Sequence, residues 1–184
     1  MTLAVLVTVA ATTAAVAAVT HSKRVLQDEQ NTYPAGTLKP RQAAEVNGVE
    51  VRIDDADVLD SVPSTNTRGY GMEVAPWDRR FLRLVVYVHN KSLKPVRVDR
   101  ALRDLRQVEI ATGNVASKRV VWLRGYDALP AGTLKPGEDV EGKVALDVTS
   151  FALSLPFLVL LGNGGPCWGL DVIDHDATNH NLLR

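Results

Sequence analysis

The chain has 184 residues, of which 46% are hydrophobic and 23% charged, a composition typical of one globular domain. Lysine and arginine together number 21, as do aspartate and glutamate, so binding to nucleic acid or another polyanion is not expected. The single cysteine, Cys167, excludes an intramolecular disulfide and a cysteine-based zinc site. We expect no cofactor, and a fold that depends on the burial of Val, Leu and Ile.

Residues 1–20 carry no charge, glycine or proline, and the first basic residues after them are Lys23 and Arg24. An uncharged segment of this length predicts a helix that serves as a signal peptide or a transmembrane anchor. Its alanine content and the small-x-small triplet at 15–17 favour a cleavable signal, but no basic residue precedes the apolar run. We therefore predict that translation starts upstream of Met1. A buried or amphipathic N-terminal helix is the alternative.

The rest of the chain divides by composition into three parts. Residues 21–45 are polar, contain two prolines and show no sustained periodicity, which predicts a linker or stalk. Residues 46–174 contain short apolar segments separated by Gly and Pro turns, and about seven strands of this kind predict an all-β, antiparallel β-sandwich. Residues 175–184 are predicted to form a polar C-terminal tail.

Five segments carry the strand predictions. "FLRLVVYVHN" (81–90) is largely apolar on both faces, which predicts a central strand covered on two sides. "VEVRI" (49–53) alternates, "FALSLPFLVLLG" (151–162) predicts a buried strand, and "WGLDVI" (168–173) is a candidate last strand. "VEGKVALDV" (140–148) alternates most regularly. Its predicted inward residues are Val140, Gly142, Val144, Leu146 and Val148, and its predicted solvent-facing residues are Glu141, Lys143 and Asp147.

The stretch 96–107 changes period after a short strand candidate, "VRV". Val98, Leu102 and Leu105 fall on one helical face, which predicts one or two helical turns over 99–107. The row Arg97, Arg100, Arg103 and Arg106 is interpreted as a solvated helical face. Its functional alternative is a site for phosphate or an acidic partner. After it, "QVEIATGNVASKRVVWL" predicts two strands joined around Gly113.

Two short motifs flank the predicted strands: Asn90-Lys91-Ser92 with Pro95, and Leu134-Lys135-Pro136-Gly137-Glu138. Over about residues 46–161 the chain resembles a family of exported bacterial immunoglobulin-like domains of unknown function, whose superfamily includes a secreted mycobacterial antigen. The resemblance implies an immunoglobulin-like antiparallel β-sandwich. It further implies an extracytoplasmic, non-enzymatic protein that binds a ligand or another protein, and it supplies no catalytic residues.

The longest irregular stretch inside the predicted domain is "STNTRGYGMEVAPWDRR" (64–80). Long loops of sandwiches often carry binding function, and aromatic residues, Met and Arg are enriched in protein interfaces. The candidate protein-binding residues are therefore Tyr70, Met72, Trp77, Arg79 and Arg80. In the alternative interpretation, Trp77 only fills the end of the sandwich.

The expected partner is another protein at the membrane or cell envelope. An accessory subunit of a membrane complex, held by an uncleaved N-terminal helix, is a second hypothesis.

The C-terminal region raises two further hypotheses. Oxygen and imidazole ligands of a divalent metal occur within ten residues, but a solvated tail is the preferred interpretation. These residues are Asp171, Asp174, His175, Asp176 and His180. Cys167 is interpreted as a structural thiol, since no sequence-local histidine lies beside it. An enzyme that uses Cys167 and His175 is the least favoured hypothesis.

The heptapeptide PAGTLKP occurs at 34–40 and again at 130–136. After the heptapeptide, the two copies have in common only a valine and a glycine near the start of a predicted strand. This limited similarity argues against a duplicated domain. Shared turn chemistry is the leading interpretation, with a local strand-entry duplication as the alternative. Both copies are predicted to mark where a strand begins.

Overall fold

The computed structural model describes residues 33–68, 71–110, 113–149, 157–162 and 164–170. The predictions for residues 1–20, for Tyr70 and for the metal-ligand candidates of the tail lie outside these ranges. No helix within the described ranges combines the length and the apolar character that crossing a membrane requires.

The described residues form twelve strands and one short helix. The strands of the larger sheet and its ribbons are β1 (Ala43–Val46), β2 (Val49–Leu59), β3 (Ser61–Pro63), β4 (Met72–Val74), β5 (Arg79–Asn90), β6 (Val96–Arg97), β8 (Ser117–Trp122), β9 (Thr133–Leu134) and β10 (Asp139–Thr149). The others are β7 (Leu105–Glu109), β11 (Phe157–Leu161) and β12 (Cys167–Gly169), and the helix α1 is Val98–Ala101. A five-stranded sheet has the order β1-β2-β5-β10-β8 and a three-stranded sheet the order β12-β11-β7, while β3-β4 and β6-β9 form two-stranded ribbons. Each of these pairings is antiparallel.

One apolar core lies between the two sheets. Alternate residues of β2, β5 and β10, such as Ile53, Val86 and Leu146, are fully buried in it together with Val159 and Trp168 of the smaller sheet. This arrangement follows from the period of two, since every second side chain of a strand points to the same face. The prediction that 81–90 forms a central strand is confirmed, because β5 pairs with β2 on one side and β10 on the other.

The predicted inward and outward residues of β10 are confirmed on the inner face. The prediction is wrong at one position of the outer face. Val144, Leu146 and Val148 are buried in the core, and Glu141 is exposed as predicted. Asp147 is buried, although it is predicted to face water. The β3-β4 ribbon accounts for the difference, because it covers this part of the outer face. A second small core lies there, formed by Val62, Phe81, Val121, Leu123 and Ala145.

The two motifs that carry the family resemblance meet in space at one end of β5. The side chain of Asn90 is fully buried and its Nδ2 donates hydrogen bonds to the carbonyl oxygens of Lys94 and Leu134, at 2.8 and 3.0 Å. Its Oδ1 accepts from both the backbone N–H and the hydroxyl of Ser92. Asn90 therefore connects the turn after β5 with the loop that precedes β10, since one buried amide satisfies both segments.

The helical prediction over 99–107 is wrong beyond its first turn. Helix α1 ends at Ala101, and strand β7 begins at Leu105 and pairs with β11. The arginine row is consequently not a helical face, because Arg97 and Arg106 belong to strands on either side of the helix. The pairing of β7 with β11 outweighs the helical spacing of Leu102 and Leu105, both of which are buried.

Regular structure begins earlier than residue 46, where the sequence predicts the sandwich to start. Strand β1 falls almost entirely within the predicted linker 21–45, and Leu38 forms a parallel bridge with Trp168 of β12. The prediction that both heptapeptides precede strands is confirmed. Strands β1 and β10 begin at Ala43 and Asp139, each three residues after the second proline of its copy.

A loop over 125–129 lies directly on β10 because position 142 carries no side chain. A Cβ atom at Gly142 would lie 2.6 Å from both the N and Cα atoms of Leu129. The backbone N–H of Lys143 donates to Asp127 O at 2.7 Å, and Leu129 N–H donates to Lys143 O at 2.9 Å. A side chain at this position would therefore separate the loop from the strand.

We expect an Asp127→Asn variant to lose less stability in acid than the wild type. Lys143 Nζ donates to Asp127 Oδ2 at 2.7 Å, and this bond holds the pKa of Asp127 below its ordinary value of 3.8. A lowered folded-state pKa stabilises the fold above the unfolded-state pKa, and the contribution is lost as pH falls through the folded-state value. Both side chains are half-buried, so the difference should stay below about 1 kcal/mol. Urea denaturation at about pH 6 and about pH 2.5 measures it, and an equal acid loss in both proteins would contradict the assignment.

Candidate functional site

The described part of the segment 64–80 contains β4, the second strand of a ribbon, with turns on either side and the first two residues of β5 at its end. β3 and β4 pair with each other, and Ser64 then bridges to Leu123 just after β8. The guanidinium of Arg124 donates to the carbonyl oxygens of Thr65 and Thr67, at 3.1 and 2.6 Å. These contacts fix the ribbon to the edge of the five-stranded sheet.

The outer side of this ribbon presents an apolar surface, which we call the Trp77 patch and define as Met72, Val74 and Trp77. Their exposed fractions are 50%, 69% and 91%. Met72 and Val74 are alternate residues of β4, so both project from the same face, and Trp77 follows in the next turn. The interpretation of Trp77 as a plug for the sandwich does not fit an indole that is almost fully exposed. Clustered exposed apolar side chains mark interaction sites more often than isolated ones do.

The two arginines predicted to bind a protein, Arg79 and Arg80, are both engaged in ion pairs within the chain. Arg79 is mostly buried and its Nε donates to Asp147 Oδ1, while its Nη2 donates to the carbonyl oxygen of Asp147 at 2.6 Å. Arg80 is half-buried with its Nε 2.6 Å from Asp60 Oδ1. Val74 belongs to the patch but is missing from the sequence prediction. The alternation Met72-Glu73-Val74 is the signal that would have identified it.

A chain of charged side chains anchors β4 beneath the patch. Asp147 contacts Arg79 and lies 3.6 Å from the Nε of Arg119, whose guanidinium also donates to Glu73. Burial raises the pKa of Glu73, but hydrogen bonds from Ser64 and Arg119 outweigh it and leave the pKa below its ordinary value. Glu73 is therefore held ionised on the inner side of β4. This contact keeps Met72 and Val74 turned outward.

A second feature is a cleft of about 550 Å³ at the opposite edge of the sandwich, bounded by β1 and β2, by β6 and α1, and by the end of β11. Its apolar lining residues are Val46, Val49, Val51, Pro95, Val96, Ala101 and Leu161. Its polar lining residues are Asn47, Arg97, Arg100, Arg103 and Asp104. Apolar residues of the sandwich core thus form the floor, and three arginines stand around the opening.

The four arginines of the sequence row have different surroundings. Arg97 forms a bidentate pair with Asp99, with nitrogen-to-oxygen distances of 2.9 and 2.7 Å. Arg103 Nε lies 3.7 Å from Asp104 Oδ1, and both of these side chains are largely exposed. Arg106 Nη2 donates to the carbonyl oxygen of Gly162 at 3.0 Å and does not line the cleft. Three of the four therefore come together at one opening, although no helix arranges them.

Comparison with known proteins gives similarity at the level of the fold. No family model and no curated protein sequence matches the chain. The chain is similar to a solved β-sandwich protein from Clostridium difficile 630, at 10% identity with a TM-score of 0.53, over 74% of this chain and 95% of that one. It is also similar to a conserved hypothetical protein from Bacillus anthracis, at 14% identity with a TM-score of 0.50, over 71% and 93% of the two chains.

The fold is an antiparallel β-sandwich. This confirms the predicted class, an antiparallel β-sandwich resembling those of uncharacterised bacterial proteins. The secreted protein MPT63 from Mycobacterium tuberculosis is also among the similar structures, at 20% identity with a TM-score of 0.44, over 74% of this chain and 99% of that one.

Cys167 lies in β12, half-buried, with its Sγ 3.8 Å from the hydroxyl oxygen of Thr37. Its proposed partner in an enzyme, His175, lies outside the described residues. Within the described ranges, no three His, Cys, Asp or Glu side chains are grouped closely enough to hold a metal ion. The Trp77 patch and the cleft are thus the two features of the described chain that geometry favours as sites.

Proposed function

We propose that this chain is a non-enzymatic, immunoglobulin-like binding domain that acts outside the cytoplasm and binds another protein of the membrane or cell envelope. The observation that carries the proposal is the 91% exposure of Trp77, three residues along the chain from Val74, together with the exposure of Val74 and Met72. The location rests on residues 1–20, whose apolar character fits a signal peptide or an anchor. The domain is secreted or tethered accordingly.

The surroundings of the patch favour a protein partner. Trp and Met are enriched in interface cores, where they are surrounded by polar side chains that exclude water. The polar side chains that follow Trp77 in the chain include the exposed Asp78 and Arg80, which pairs with Asp60. The strand that carries the patch is fixed from below by Glu73 and Arg119, so little conformational entropy would be lost on binding.

We expect Trp77→Ala to weaken capture of the partner by about thirtyfold, since an aromatic hot spot contributes about 2 kcal/mol or more to binding. The measurement is a pull-down of the full chain from native membranes with a C-terminal tag, followed by titration of the purified partner. Tyr126→Ala is the matched control, because Tyr126 is 104% exposed but does not belong to the patch. It should bind the partner as tightly as the wild type.

The proposal requires a specific, stoichiometric partner whose binding depends on the patch. Equal capture by the Trp77 and Tyr126 variants would overturn it. So would sedimentation that shows the chain associating with itself through the patch, because the surface would then be covered by a second copy.

The accessory-subunit hypothesis differs in the fate of residues 1–20. Their small Ala and Thr side chains permit close approach between helices in a bilayer, which favours a retained helix packed against a membrane partner. Membrane fractionation of the native protein distinguishes a retained segment from a cleaved one.

The enzyme hypothesis would be abandoned if Cys167→Ala and truncation from residue 174 both left the activity or phenotype unchanged.

A further inference from the structure

We propose that the cleft between β2, α1 and the end of β11 binds the carboxylate head and adjoining acyl chain of a fatty acid. This site is separate from the Trp77 patch and does not depend on a protein partner. A volume of about 550 Å³ lies within the range of small-molecule sites, which is about 300–1,000 Å³. Its walls combine an apolar floor with cationic groups at the opening.

The floor suits an acyl chain because it is made from the sandwich core itself. Val49, Val51 and Leu161 are buried core residues, and Val96 and Ala101 pack against the same core. Asn47 is the one uncharged polar residue among the described residues that line the cleft. A hydrocarbon chain entering here would exchange water contacts for apolar ones, which favours binding.

The opening selects an anion because its guanidinium groups exceed its carboxylates. Asp99 engages Arg97 in a bidentate pair, and the exposed contact of Arg103 with Asp104 is long. Within the described residues, Arg100 lies within ion-pair distance of no carboxylate, although the Asp99 charge is near enough to interact with it. Arg100 is therefore the group best placed to grip a ligand carboxylate through two parallel hydrogen bonds.

The geometry also separates a fatty acid from other anions. A small inorganic anion would use the arginines but make no contact with the apolar floor, and a neutral alcohol would use the floor but leave Arg100 without a carboxylate. The chain's overall neutrality offers no long-range attraction for polyanions. Tight binding should therefore require a carboxylate and an acyl chain in the same molecule.

The test is competition for a fluorescent apolar anion, 1-anilinonaphthalene-8-sulfonate, bound to the purified full-length protein. We expect laurate to displace the probe at least about tenfold more effectively than lauryl alcohol, because only laurate offers a charged partner to Arg100. Acetate and inorganic phosphate should not displace it at comparable concentrations. Displacement by acetate or phosphate as effective as that by laurate would overturn the proposal, as would no displacement by laurate.

Two variants assign the ligand's two ends. Arg100→Gln should weaken laurate binding by about tenfold and leave lauryl alcohol unaffected, while Arg68→Gln, at an exposed arginine outside the cleft, should change neither. Ala101→Phe should weaken both ligands because the added ring occupies the floor. Urea denaturation checks that each variant is folded. Should Ala101→Phe fail to fold, equal laurate affinity in the Arg100 and Arg68 variants would still refute the site.

Discussion

Replacing Trp168 with alanine should lower the free energy of unfolding by about 4 kcal/mol. The indole is fully buried between the two sheets, and its Nε1 donates to the carbonyl oxygen of Gln42 at 2.8 Å. Truncation would leave a large cavity in the core and an unpaired carbonyl beside it. Natural domains are stable by only about 5–15 kcal/mol, so much of the total would be lost.

Urea denaturation followed by far-UV circular dichroism measures the effect. Trp168→Phe keeps much of the ring volume and loses the hydrogen bond, so about half of the loss is expected. Trp77→Ala is the matched control for removing an indole, and it should stay within about 0.5 kcal/mol of the wild type because Trp77 is exposed. A loss below about 1 kcal/mol in Trp168→Ala would show that the indole is not part of the core.

Asp147→Ala should lower the free energy of unfolding by about 3 kcal/mol, since it leaves the mostly buried Arg79 guanidinium without its carboxylate. Arg119 would lose its second acidic neighbour but keep Glu73. The cost arises from an uncompensated buried charge, so replacing Arg79 and Asp147 together by leucine should recover most of it.

A double-mutant cycle over Arg79 and Asp147 separates the coupling from the loss of each side chain. Asp104→Ala is a suitable control, because its pairing with Arg103 is exposed and should contribute no more than about 0.5 kcal/mol. If Asp147→Ala were as mild as Asp104→Ala, the charged side chains beneath the Trp77 patch would not contribute to stability. The claim that they hold the patch rigidly would then be wrong.

The sequence predicts those features of the fold that depend on the two-residue period of side chains along a strand. In β10, the side chains that enter the core are spaced by two residues, and this pattern predicts both the strand and its inner face, whereas β5 is predicted from apolar residues on both of its faces. Asp147 shows the limit of such a pattern. Alternation assigns a side chain to a face, but it says nothing of what covers that face. Here the cover is a ribbon whose second strand is only three residues long.

The candidate sites were predicted less completely, for physical reasons that differ between them. Trp77 and Met72 are identified by residue type within a long irregular stretch, but Arg79 is not recognised as structural because Asp147 lies 68 residues further along the chain. The arginine row is visible in the sequence, but its spacing predicts a helix that in fact ends at Ala101. The cleft was not predicted at all, since separate segments between residues 46 and 162 line it.

The first heptapeptide has a mechanical consequence. Leu38 N–H donates to Cys167 O, and Gly169 N–H donates to Leu38 O, both at 2.9 Å, in a parallel bridge beside β12. Tension applied along the chain from its N-terminal side would reach this bridge before it reached β1. Hydrogen bonds between two chain segments pulled lengthwise past each other must break together. The two hydrogen bonds of Leu38 would therefore resist such a force jointly. Force from the N-terminal side would therefore load these two hydrogen bonds before β1, the edge strand of the larger sheet.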